Sequence, residues 1–196
     1  MHTPWGNSQT SKQYGEGLTF YGTASHGGFF VEPELHATMN PALRLDAGGY
    51  SGATGWYEED CEAYLVVRAF PGRFPANEVE EADQAIKNSY LYPHWEKLHG
   101  RILQPGESAE KDRDAFHAAN RDSLLVVAAW GDWKEGVPKG MVGVVARPGG
   151  REYDQAHPGS EKEQDRWFLV PATEYATRRY EFVVDPTKHQ AIDPLQ

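Results

Sequence analysis

The sequence predicts the α+β class: an antiparallel β-sheet with helices inserted after an N-terminal hairpin. Three observations carry this. Aromatic-rich stretches at 18–24 and 29–31 flank a Gly-Gly pair, the pattern of a β-hairpin. Helix-period segments then occupy 57–120. The rest returns to short apolar runs without strand–helix alternation, which argues against a parallel sheet.

Taken in order, residues 1–17 are polar and read as a surface segment. The hairpin carries Ser25-His26-Gly27-Gly28 at its turn. Residues 32–55 hold Pro33, Pro41, Gly48, Gly49, Gly52 and Gly55. That is loop chemistry, broken at most by a short strand near Leu43–Leu45. Residues 57–70 read as a helix, because Tyr57, Cys61, Tyr64, Leu65 and Arg68 share one face. Glu58, Glu59 and Asp60 would then crowd its first turn, where the dipole favours negative charge. Pro71-Gly72 ends it. A second helix starts near Asn77, with Glu80 as capping-box partner, and runs to about Tyr92. Pro93 breaks or restarts it, and Gly100 follows as a stop signal. A third covers 108–120 with Phe116 as anchor.

Leu124–Trp130 is a continuous apolar run, expected as a central strand buried on both faces. Strands at 141–146, 167–170 and 182–184 follow, and Pro171 is placed to open a short helix. Residues 148–164 read as a flexible loop and 185–196 as a C-terminal tail, giving one α+β domain over 1–196.

Composition narrows the function. The chain has 196 residues and a net charge of −10. That balance argues against direct nucleic-acid binding, which rewards Lys and Arg. Leu, Ile, Val and Phe make up only about 18% of the chain, low enough to raise the question of disorder. Six Trp and ten Tyr answer it, since each buries a large area. Cys61 is the only cysteine, so no internal disulfide forms and a reducing cytoplasm suits the chain. No basic-then-apolar leader and no apolar run near 18 residues is present. Both argue against secretion and membrane spanning.

Several strings resemble an uncharacterised domain family of accessory proteins from bacterial plasmids, phages and integrated elements. They are TPWG at 3–6, SHGGFFV at 25–31, GWYEEDCE at 55–62, AFHAANRD at 115–122 and RWFLVPATEYATR at 166–178. The resemblance implies a mobile-element setting and a cytoplasmic product. It brings no reaction and no catalytic residues with it.

Candidate chemistry centres on His26. A histidine in a tight turn titrates near neutral pH and suits acid–base work, or else it caps the turn. Glu58 or Glu59 shares a helix side with Glu62, so a pair could hold a divalent cation or share a proton. A metal site wants more ligands, with His26 the candidate to add, and first-turn carboxylates also stabilise a helix without function. No metal and no cofactor is therefore assigned. Asp60 falls at the edge of the apolar face, with His26 or Ser25 as its expected partner. Cys61 is disfavoured as a nucleophile, because flanking acids repel a thiolate. His94 and His99 would point about 140° apart on a helix, too far for a metal pair. Trp130 and Trp133 bracket Gly131-Asp132, either as an aromatic recognition surface or as core cover.

Two functions follow. One is a mobile-element accessory protein acting by protein binding, with counteraction of a host defence system as one form. Glu58, Glu62 and Trp133 would meet a protein partner with a basic surface, since residues 57–83 hold eight acids against Arg68 and Arg73. The alternative is a small hydrolase or group-transfer enzyme using His26 with Glu59 or Asp60.

Overall fold

A computed structural model describes residues 1–151 and 164–195. The fold is α+β, with antiparallel sheets and an N-terminal hairpin followed by helices. The chain divides into two compact units, Met1–Asp112 and Arg113–Gln196.

The first unit opens with a small hairpin, β1 (His2–Thr3) and β2 (Gly6–Asn7). A four-stranded antiparallel meander follows in the order β3 (Thr10–Gln13), β4 (Leu18–Gly22), β5 (Gly27–Val31) and β6 (Trp56–Glu58). The β4–β5 pair is the hairpin read from the sequence, and its register closes at Gly22 opposite Gly27. Helices α1 (Pro33–Thr38), α2 (Ala63–Ala69), α3 (Ala76–Lys87), α4 (Tyr92–His99) and α5 (Ala109–Ala119) complete the unit, whose boundary falls inside α5. Gly100 ends α4 at φ +63°, the left-handed cap that glycine takes without strain.

Aromatics fill the core where aliphatics are scarce. Phe29 meets Tyr14, Phe20 and Phe74 at ring separations of 5.2–5.8 Å, within the range of favourable edge-to-face contacts. Asp83 joins three helices: its carboxylate accepts from Arg68 of α2 and from Trp95 and His99 of α4.

The expected helix over 57–70 is corrected. Residues 56–58 form a strand, and helix starts only at Ala63. Tyr57 explains the difference: it is fully buried, and its hydroxyl oxygen accepts the Leu45 N–H while lying 3.0 Å from His36 Nε2. Pairing with β5 and burial of that ring outweigh the local helical period. The acids at 58–60 thus do not occupy a helical first turn. Leu43–Leu45 forms no strand, and α1 begins at Pro33, in a segment read as loop.

The second unit is one antiparallel sheet in the order β10-β7-β8-β9-β11. Its strands are β7 (Leu124–Trp130), β8 (Met141–Pro148), β9 (Arg166–Pro171), β10 (Val183–Val184) and β11 (Gln190–Ile192). The centre is β8 rather than β7, which pairs with the short β10 on its other side and is partly exposed beyond Val126. Helix α6 (Ala172–Tyr175) starts directly after Pro171, as read from the sequence. The expected flexible loop at 148–164 lies outside the described residues from 152 to 163. No helix among the described residues is long and apolar enough to cross a membrane.

Candidate functional site

The site is built where β5 meets β6. Gly28 lies opposite Glu58, and the Glu59 N–H donates to the Gly27 carbonyl at 3.0 Å. This brings the hairpin turn, which carries His26, beside the carboxylates at the end of β6. Thr23 fixes the turn: its hydroxyl donates to the His26 carbonyl at 2.7 Å and accepts the His26 N–H at 3.2 Å. The imidazole itself stays partly exposed.

Glu58 is buried. Its Oε2 accepts the Asp60 N–H at 2.9 Å, and its Oε1 faces His26 Nδ1 at 3.8 Å. Oε1 is inaccessible to water and has no hydrogen-bond partner. Glu59 is exposed, and one donor atom each from His26, Glu58 and Glu59 lie within 4.8 Å of one another. These three side chains are the set able to hold a metal ion among the described residues.

Gly27 makes the approach feasible. A Cβ there would collide with the Glu59 carboxylate and the Phe20 ring. At Gly28 a Cβ would meet Trp5 and the Tyr57 carbonyl. The Gly-Gly pair after His26 therefore serves close packing, since neither residue has positive φ.

The other expected residues have different tasks. Asp60 is exposed, and its backbone rather than its carboxylate touches Glu58. Glu62 is buried and clasps backbone: Oε1 accepts the Tyr50 N–H at 2.6 Å and Oε2 the Glu58 N–H at 3.1 Å. Cys61 has its thiol pushed up by burial and by Glu58, Asp60 and Glu62, as expected beside acids. Trp133 is 78% exposed, whereas Trp130 stacks on Trp167 at 5.3 Å. His94 donates from Nδ1 to the Ala42 carbonyl, and His99 binds Asp83.

Sequence reasoning missed two tyrosines. Tyr50 and Tyr90 are exposed and line a cavity of about 390 Å³ together with Leu45, Leu91, Pro93 and Glu62. The Tyr50 ring is centred 6.5 Å from that of His26, so this cavity adjoins the cluster. Burial, with Glu62, Cys61 and Glu58 nearby, pushes the Tyr90 phenol up to about 12. Their only sequence signal is that each is an aromatic in a polar or glycine-rich stretch.

No curated protein and no solved structure matches the chain. A family model does match, over residues 1–121, which takes in the whole first unit and stops short of β7. The chain belongs to the family described as Domain of unknown function (DUF7007).

Proposed function

We propose that the protein is a small hydrolase or group-transfer enzyme in which His26 and Glu59 handle protons and Glu58 supports the imidazole. One observation carries this reading: an accessible imidazole faces a buried carboxylate oxygen that nothing else engages. Histidine titrates near neutral pH, and a carboxylate beside it stabilises the imidazolium formed when it takes a proton. Glu59 is favoured over Asp60 because its carboxylate belongs to the cluster. The adjoining tyrosine-flanked cavity suits an apolar or aromatic part of a substrate.

The test is a panel of activated carboxylic and phosphoric esters, with His26→Ala and Glu59→Gln beside the parent. Loss of about 10²–10⁴ in rate in either variant, with an unchanged unfolding midpoint, is expected for acid–base groups. Undiminished turnover in both variants overturns the reading.

A second reading rests on the strong exposure of Trp133. Here the protein is a cytoplasmic accessory factor of a plasmid, phage or integrated element. It acts by binding a protein with a basic surface and so counteracts a host defence. The likeness of the TPWG, SHGGFFV and GWYEEDCE strings and the net charge of −10 support it. Expression in a restricting host should raise phage plating efficiency, and Trp133→Ala should remove the gain; equal plating with and without the protein overturns it.

A further inference from the structure

We infer that His26, Glu58 and Glu59 bind one divalent transition-metal ion, the cofactor of the activity proposed above, on whose reading of this cluster the inference rests. The starting point is the stranded oxygen. A carboxylate oxygen shut away from water and without a donor is costly, and Glu58 Oε1 is in that state. Its other oxygen is held by the Asp60 N–H, which aims Oε1 at His26. Among the described residues His26 is the only basic side chain within 4 Å of the Glu58 carboxylate.

The surroundings are negative. Glu59, Asp60 and Glu62 all follow Glu58 within four positions. A divalent cation supplies the missing charge at the one point where imidazole and carboxylates converge.

The geometry is close to ligation. A metal bonded at about 2.0–2.2 Å keeps neighbouring ligand atoms about 3–4 Å apart. The three donors, all within 4.8 Å of one another, therefore need to contract only slightly. Glu59 is exposed and His26 partly so, and neither is packed into the core as Glu58 is. The buried Glu58 is the fixed ligand. Thr23 on the turn and Gly27 beneath Glu59 provide the support that metal ligands commonly need from their neighbours.

The donor set selects the ion. One imidazole and two carboxylates suit manganese, iron, cobalt or zinc, whereas magnesium and calcium favour oxygen alone. Three protein ligands also leave coordination positions open for water or substrate. With the ion bound, His26 and Glu59 would act as ligands in place of proton carriers, and the ion would lower the pKa of a water at an open position.

Calorimetric titration of the chelator-treated full chain with zinc chloride, manganese chloride and magnesium chloride tests this. We expect one zinc or manganese ion per chain, and magnesium at least tenfold weaker. His26→Ala and Glu58→Gln should each weaken zinc binding at least tenfold while the metal-free protein unfolds no earlier than the parent. Because other histidines also attract zinc, spin-echo resonance of the manganese-loaded protein must show one imidazole nitrogen coupling, absent in His26→Ala. That variant alters only a partly exposed side chain, so it decides the matter if Glu58→Gln fails to fold. Unchanged affinity in His26→Ala, or manganese bound without nitrogen coupling, overturns the inference. The two proposals fail separately. Turnover that needs His26 and survives chelation removes the ion alone; ion binding at this cluster without turnover removes the activity alone.

Discussion

Glu58 Oε1 and His26 Nδ1 face each other at 3.8 Å, one buried and the other on a partly exposed ring, too far apart for a hydrogen bond. The pair is held by the backbone around it rather than by mutual attraction. A group kept in that condition favours function over stability. In metal-free protein, Glu58→Gln should therefore raise stability by about 1 kcal/mol, or about 2–4 °C in Tm for a chain of this size. Thermal unfolding followed by circular dichroism checks it, and a fall of several degrees would assign Glu58 to holding the fold.

Tyr57 governs the loop behind the site. Its phenol, pushed up to about 12 by burial, stays neutral and accepts the Leu45 N–H. Tyr57→Phe keeps the ring but strips both Leu45 N–H and His36 Nε2 of a partner. A loss of about 1–3 kcal/mol is expected, read as a lower urea midpoint at constant slope.

Asp83 makes stability depend on acid. Burial alone would raise its pKa, but the hydrogen bonds from Arg68, Trp95 and His99 together win and hold it below the ordinary carboxylate range. A depressed folded value adds stability above the unfolded pKa, near 3.9, and loses it as pH falls through the folded value. Asp83→Asn should be less stable than the parent at pH 6, and the gap should narrow below about pH 4. Unfolding midpoints between pH 3 and 6 supply the comparison; a constant gap would exclude the charged form as the source.

Gly27→Ala separates the site from the fold in a different way. The new Cβ meets the mobile end of Glu59 and the tip of Phe20, both of which can yield. Glu59 should be displaced at a stability cost of about 1–2 kcal/mol. Any turnover should fall as far as in Glu59→Gln, and equal turnover in Gly27→Ala and parent would show that Glu59 need not lie over residue 27.

Much of this architecture is written locally. The apolar runs of β7, β8 and β9 and the aromatic pair around Gly27-Gly28 announce themselves because strand burial is encoded residue by residue. The β6 segment does not. From Tyr57 to Arg68 the apolar spacing is helical, and only the distant partners of the Tyr57 hydroxyl, Leu45 and His36, decide otherwise. Strand β11 is three residues long, below what a pattern can reveal. The cluster inherits this limit. His26 and Glu59 stand out as residue types, yet their proximity depends on the β5–β6 register, a long-range choice. The two roles of Glu58 and Glu62, one oxygen stranded and the other carboxylate fully engaged, depend on the same pairing.

The Glu62 clasp has a kinetic consequence. Both of its oxygens are spent on backbone, one at Tyr50 and one at Glu58, so this side chain joins the Tyr57 hydroxyl in tying the 40–55 loop to β6. Arg44, just upstream, is secured to its neighbour Asp46 rather than to the sheet. Once the clasp opens, the glycine-rich stretch carrying Tyr50 is released, while the Arg44–Leu45 bond stays held through the Leu45 N–H on the Tyr57 hydroxyl. Cleavage after Arg44 by a trypsin-like protease is thus a clock for the loss of both holds, at Glu62 and at Tyr57.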